Sequence, residues 1–204
     1  MPIKCLYCDE DYHKNSSLAH ILFSKDLLCE KCRKQLVLKH RYLKVDEFQV
    51  EVFYEYDEFF RSLILQYKEC YDEALYPIFF KELKLYLETK YHDYSIVWIP
   101  SSKSKLEVRG FDHMEKMLSI LRLKKCNALY QSLDLDQKNK SFKERLKITE
   151  SIKIKDEFKV PEKVLLIDDV VTSGASITAG AKILQKYTKK LVIVALSSTK
   201  ERKM

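Results

Sequence analysis

Short apolar runs alternate with longer stretches of helical spacing along most of this chain. Val50 to Tyr56, VEVFYEY, alternates apolar and acidic residues at a period of two and predicts a strand. From Asp57 to Lys90 the period lengthens. Leu63, Leu65, Leu75, Phe79, Leu83 and Leu87 mark helical structure that Pro77 breaks or restarts. Ser95 to Pro100, SIVWIP, predicts a buried strand closed by proline, followed by a basic loop and a helix from about Phe111 to Lys124. Asn127 to Ser132 reads as a short strand, and Ser141 to Ile148 as a strongly basic helix. Val164 to Ile167 is a continuous apolar strand, Ile177 to Tyr187 a helix, and Leu191 to Leu196, LVIVAL, the next strand.

Strands that alternate with helices imply an α/β fold, a parallel sheet flanked by helices. Uninterrupted runs such as VLLI and LVIVAL fit strands buried on both sides. No internal repeat is visible. The 204 residues suit one domain and a small appendage, and 46% hydrophobic residues suffice for a sizeable core. With 3 glycines and 4 prolines the chain is no flexible or low-complexity protein. A net charge of +7 permits an anionic partner without demanding one, because a lysine-rich composition alone gives the same value. No stretch approaches the roughly 20 apolar residues of a membrane span. The opening MPIKCLYCDEDYH is polar and does not read as a signal peptide. The expected setting is therefore cytoplasmic and reducing, with the 6 cysteines as thiols.

Residues 1–44 read as a cysteine-bearing head, and residues 45–204 as the main domain. Cys5 and Cys8 form one Cys-x2-Cys pair, Cys29 and Cys32 another. Each pair puts two thiolates on a tight turn, and four sulfurs suit a closed tetrahedral Zn²⁺ site. So few apolar residues surround them that metal binding would supply the head's folding energy. The zinc is expected to be structural. His13 and His20, between the pairs, are expected at the surface, and Cys70 and Cys126 in the core. A ribbon-like head beside the basic segment Arg33 to Lys44 suits nucleic-acid contact and simple packing equally.

The most informative stretch is Val164 to Ser176, VLLIDDVVTSGAS. A strand, a tight loop and a helix place the loop at the carboxyl edge of a parallel sheet, where such folds bind ligands. Ser173, Gly174, Ala175 and Ser176 can aim successive backbone N–H groups at one anion. A helix starting near Ser176 adds the positive end of its dipole, and Thr172, Ser173 and Ser176 add hydroxyls. Asp168 and Asp169 precede this cradle. Carboxylates are poor phosphate neighbours but good acceptors for sugar hydroxyls, and they collect Mg²⁺. One ligand that satisfies both halves is a ribose 5-phosphate.

The stretch resembles the phosphoribosyl diphosphate motif of type I phosphoribosyltransferases. By that resemblance Asp168 and Asp169 hold the ribose diol, and Val170, Val171, Thr172, Ser173, Gly174, Ala175 and Ser176 form the 5-phosphate loop. VWIPSSKSKLEVRGFDHMEKML and DQKNKSFKERL are similar to two further segments of the ComF family of competence proteins, and the four-cysteine head to its zinc finger. The match covers nearly the whole chain in order. Departures from the pattern stand at Trp98, Lys105, Asp112 and His113, and put any role of those positions in doubt. Bottom-up, the strand end Pro100 to Lys103 offers N–H groups from Ser101 and Ser102 and a cation, Lys103, for a diphosphate. Arg109 offers a bidentate contact, with Gly110 letting that loop move.

Two functions follow. The resemblance implies a competence protein of natural transformation. It would handle incoming single-stranded DNA, with phosphoribosyl diphosphate and Mg²⁺ in its pocket, DNA-uptake machinery proteins as possible partners, and the basic segments Arg33 to Lys44 and Lys138 to Lys155 tracking the strand. The alternative is an active phosphoribosyltransferase that gives ribose 5-phosphate to a nucleobase-like acceptor, with Asp168 and Asp169 at the reaction centre. A hood for such an acceptor would come from the segment before the core or from Leu133 to Ile154.

Overall fold

The computed structural model describes residues 4–11, 27–132, 152–156 and 158–200. The expected basic helix Ser141 to Ile148, His13, His20 and most of Lys138 to Lys155 lie outside the described residues. Helix α1 (Glu30–Gln35) leads into strands β1 (Leu38–Val45) and β2 (Phe48–Tyr54). Helix α2 (Glu58–Glu69), a 3-10 turn (Glu73–Leu75), α3 (Tyr76–Lys81) and α4 (Lys84–Lys90) follow. Then come β3 (Ser95–Trp98), α5 (Lys103–Arg109), α6 (His113–Leu118), β4 (Lys124–Lys125) and β5 (Leu129–Gln131). The chain closes with β6 (Ile152–Ile154), β7 (Lys163–Val171), α7 (Ala175–Leu184) and β8 (Lys190–Ser198).

The central sheet runs β1-β2-β8-β7-β3-β4. Only the edge pair β1 and β2 is antiparallel; every other neighbour is parallel. The expected mainly parallel α/β fold is therefore present. Successive residues of the inner strands feed opposite faces, as a period of two requires. Leu165, Ile167, Ile96, Trp98, Val194 and Leu196 pack beneath α2, α3, α4 and α6. Val164, Leu166, Val97, Ile99, Ile193 and Ala195 pack beneath α7 and the small antiparallel pair β5–β6. Each fully buried Leu, Ile or Val contributes roughly 1.5–3 kcal/mol, so two complete apolar faces account for these unbroken runs.

Three local expectations change. The basic loop after Pro100 is helix α5, because Ser102 caps it by accepting from the Lys105 amide. Cys70 is exposed at the C-cap of α2 and is no core residue, whereas Cys126 is buried. Strand β1 runs through residue 45, so the central sheet begins before the expected end of the head. Pro77 opens α3, where its missing N–H is not needed.

The alternation in β2 also has an unexpected outcome. Glu51 is 1% exposed, because β2 lies inside the sheet. Its carboxylate accepts from Lys90 at 2.9 Å, Tyr86 at 2.5 Å and Tyr91, and it faces His40 Nε2 at 2.7 Å. Lys90 in turn sits 4.9–5.8 Å from the ring centres of Tyr42, Tyr86 and Tyr91. Burial raises the Glu51 pKa, but the two tyrosine hydroxyls and Lys90 outweigh it and hold the group at about 2 against an ordinary 4.5. The stabilisation is thus complete above pH 4.5 and is lost as pH falls through 2. Replacing Glu51 with Gln should destabilise the fold by about 3 kcal/mol at neutral pH, the scale for breaking a buried pair. Urea unfolding of both proteins across this acid range should show the difference shrinking as pH falls.

Candidate functional site

Strand β7 continues through both aspartates, and Asp168 pairs in register with Ala195. The loop then turns at Gly174, whose φ is +83°. A side chain there would meet Val45 Cγ1 at 2.3 Å, so glycine is required both by the turn and by the close pass of β1. Helix α7 begins at Ala175, one residue earlier than expected, and its N-cap has no side-chain hydrogen bond. The opening amides of a ten-residue helix therefore stand beside Thr172 and Ser173, which are exposed.

A cleft of about 380 Å³ brings the expected residues together. Asp168, Asp169, Val170, Thr172 and Ser176 line it from β7 and the loop, and Ser101, Ser102, Lys105 and Arg109 from the end of β3 and α5. Val171, Ser173, Gly174 and Ala175 belong to the same turn without lining the cleft. Lys103 is not brought in: its side chain is 81% exposed and faces Glu107 at 3.8 Å, one turn along α5.

Arg109 is also placed differently from the expectation. It is buried, with Nε donating to the Lys68 carbonyl at 3.0 Å and one terminal nitrogen donating to His113 Nδ1 at 3.0 Å. Gly110, with φ +80°, closes α5 as its left-handed C-cap.

The arginine contact fixes the histidine. A guanidinium only donates, so His113 Nδ1 accepts and the proton sits on Nε2. Nε2 then donates to Asp169 Oδ2 at 2.6 Å. Lys68 Nζ donates to the same oxygen at 2.7 Å, and the other oxygen accepts the Val170 amide at 2.6 Å. Burial holds His113 below its ordinary pKa, aided by the Lys68 and Arg109 charges and opposed by Asp169. Burial alone would raise Asp169, but Lys68 and His113 hold it well below the carboxylate range. Burial and the charge of Asp169 push Asp168 the other way, up to about 7. Lys68, Asp169, neutral His113 and Arg109 together carry one net positive charge. Even an ionised Asp168 brings this sum only to zero, so these five residues leave the floor of the cleft without net negative charge.

Asp168 has a freer role. Its Oδ1 accepts the Asp169 amide at 2.9 Å, and among the described residues Oδ2 makes no hydrogen bond. That oxygen fits a sugar hydroxyl or the water shell of Mg²⁺. Three of the four sequence departures prove to be connected. Trp98 Nε1 donates to Asp112 Oδ2 at 3.0 Å, Asp112 caps α6 by accepting from the Met114 and Glu115 amides, and His113 opens that helix beneath Asp169. Lys68 and His113 were missed as site residues. A signal for Lys68 lay in RSLILQYKECYDEAL, which loosely resembles a helix with a Lys-Tyr pair but in an ambiguous register; the hydroxyl of neighbouring Tyr67 donates to the His113 carbonyl at 2.9 Å.

The head has its own site. The sulfurs of Cys5, Cys8, Cys29 and Cys32 lie within 4.8 Å of one another. Cys8 and Cys29 sulfurs are 3.8 Å apart, which matches the edge of about 3.8 Å in a tetrahedron with Zn–S bonds of about 2.3 Å. Burial and the neighbouring sulfurs push the Cys32 thiol upward, a conflict that a divalent cation relieves. The donor set therefore fits zinc. The head is fixed to α2 by Tyr7, whose ring centre lies 4.8 Å from that of Phe59 and whose hydroxyl bonds Ser62 at 2.9 Å. The basic cluster beside it is largely paired: Arg33 with Glu82, Lys34 with Glu30, and Lys39 and Arg41 with Glu55.

No model of a known protein family matches the chain, and no curated protein matches it. Among solved structures it is similar to a hypoxanthine phosphoribosyltransferase from Staphylococcus aureus. The TM-score is 0.40 at 19% identity, over 65% of this chain and 68% of that one. It is similar also to a hypoxanthine-guanine phosphoribosyltransferase from Bacillus anthracis, with TM-score 0.43 and 18% identity over 65% and 74% of the two chains. Likeness of that degree assigns no activity to this chain. No helix among the described residues is long and apolar enough to cross a membrane.

Two outcomes are expected here. Purified protein should hold one zinc per chain by elemental analysis, and Cys29→Ser should lower both zinc content and melting temperature. Gly174→Ala should destabilise the protein by about 1–3 kcal/mol, because strain at positive φ and the clash with Val45 act together. Thermal denaturation measures this.

Proposed function

We propose that the cleft binds phosphoribosyl diphosphate with Mg²⁺, and that the protein is a cytoplasmic competence factor that handles incoming single-stranded DNA. The observation that supports the pocket reading best is the unspent oxygen of Asp168 beside the turn at Thr172 to Ser176. A sugar-hydroxyl acceptor shares the cleft with Thr172 and Ser176, the two residues of that turn that line it. Asp168 takes the ribose hydroxyls, and the amides and hydroxyls of Thr172 to Ser176 take the 5-phosphate. Asp169 acts behind them as a positioning residue.

The DNA reading rests on the sequence resemblance and on charge. Since much of Arg33 to Lys44 is paired, a second cleft is the better track for a strand. It is about 640 Å³ and is lined by Lys153, Lys155, Lys159 and Lys186 together with Phe158 and Tyr187. Lysines among rings suit a sequence-tolerant single strand, whose phosphates meet cations and whose bases stack. The zinc head would hold α2, one wall of the first cleft, and DNA-uptake proteins would be the partners.

A second reading is an active phosphoribosyltransferase. Tyr56, Leu65 and Gln131 line the first cleft beside the aspartates and give a planar acceptor an apolar wall and an amide. The expected hood segment Leu133 to Ile154 lies mostly outside the described residues.

Calorimetry with phosphoribosyl diphosphate should show Asp168→Asn weakening binding by about tenfold or more, the value of a lost charge-assisted contact. Unchanged affinity would remove the pocket reading. Charge reversal at Lys155, Lys159 and Lys186 should abolish salt-sensitive binding of an oligothymidylate in fluorescence anisotropy while leaving phosphoribosyl diphosphate binding intact. Pyrophosphate release that depends on an added nucleobase would favour the transferase.

A further inference from the structure

We propose that Lys68, from the C-terminal turn of α2, is the cation that binds the diphosphate of the ligand. The role rests on the reading of the cleft as a phosphoribosyl diphosphate site. Sequence spacing pointed to Lys103, which instead faces Glu107 in solvent. Lys68 lines the cleft with its side chain 25% exposed. Its ammonium has three N–H bonds and, among the described residues, one partner, Asp169. Two N–H bonds therefore remain for a ligand.

Lys68 is also held in place. Asp169, 101 residues away in sequence, fixes Nζ at 2.7 Å, and the backbone carbonyl of Lys68 accepts from Arg109. A lysine that is already immobilised loses little conformational freedom when it binds an anion, unlike a lysine in solvent. Its location suits the diphosphate in particular. Phosphoribosyl diphosphate carries its two anions on opposite sides of the ribose, at C1 and C5. If the turn at Thr172 to Ser176 takes the 5-phosphate, the diphosphate faces the other wall. Lys68 is tied to that wall, through Arg109 on α5 and through His113, whose Nδ1 lies 3.1 Å from Ser101 Oγ at the end of β3. Asp169 then serves as the counter-ion that aims Lys68.

The test compares three ligands by calorimetry in the presence of Mg²⁺: phosphoribosyl diphosphate, inorganic pyrophosphate and ribose 5-phosphate. Lys68→Met should weaken the first two by about tenfold or more and ribose 5-phosphate by less than about twofold, since one charge-assisted contact is lost only where a diphosphate is present. Lys68→Arg should recover part of the loss. Because Lys68→Met leaves Asp169 without its cation, the double variant Lys68→Met with Asp169→Asn provides a floor without the stranded charge, and it should show the same discrimination. Equal weakening of all three ligands would reduce Lys68 to a structural role and overturn the proposal. So would wild-type affinity in Lys68→Met, or a larger loss in Lys103→Met. If the wild type binds none of the three, the reading of the cleft itself falls, and the inference with it.

Discussion

The carboxylate of Asp169 joins parts of the chain that share no local sequence. One of its oxygens takes both the ammonium of Lys68 from α2 and the imidazole of His113 from α6, and the imidazole is held from behind by Arg109 at the end of α5. Three helices are thereby tied to the strand that leads into the turn at Thr172 to Ser176. A buried carboxylate without such partners would take up a proton or force the structure open. With them it stays charged and orients each donor. The chain also explains how two adjacent acids are tolerated at one strand end. The charge of Asp169 is answered by donors from the interior, while Asp168 keeps an unbonded carboxylate oxygen among the described residues.

The same logic, a buried charge surrounded by donors, recurs at Glu51. There the donors are tyrosines and Lys90, and nothing opens onto the cleft. One polar network supports β2 inside the sheet, the other the end of β7. Both join elements on the face of the sheet that α2, α3, α4 and α6 cover, and both leave few alternative packings, because a shift of either strand would strand a charge. The zinc-type cluster adds a third fixed point. Through Tyr7 and Phe59 it bears on α2, the helix that presents Lys68. A four-cysteine cluster far from the cleft in sequence can thus set the position of a cleft wall.

Much of this architecture was legible in the sequence, and the reasons are local. Unbroken apolar runs at Val164 to Ile167 and Leu191 to Leu196 specify strands covered on two faces. The two Cys-x2-Cys pairs specify a four-sulfur site, because ligand geometry is set by spacing within each pair. Asp168, Thr172, Gly174 and Ser176 sit in one continuous stretch, so their order alone outlines a strand, a tight turn at Gly174 and a helix start. Less legible were residues whose role depends on distant partners. Lys68 had no role assigned to it, Glu51 looked like the polar member of an alternating strand, and His113 like a departure from a pattern. Arg109 looked like a phosphate ligand on a loop and proved to be buried at the end of a helix.

By itself, then, the sequence determined the main strands and helices of the central sheet, the cysteine cluster and the turn after β7, whereas α5, β1 and β6 were not read from it. The tertiary structure decided how the charges are used. Whether a carboxylate faces a ligand or the interior depends on which cation reaches it first in space. For Asp169 that cation comes from 101 residues away, across a helix that no periodicity connects to it.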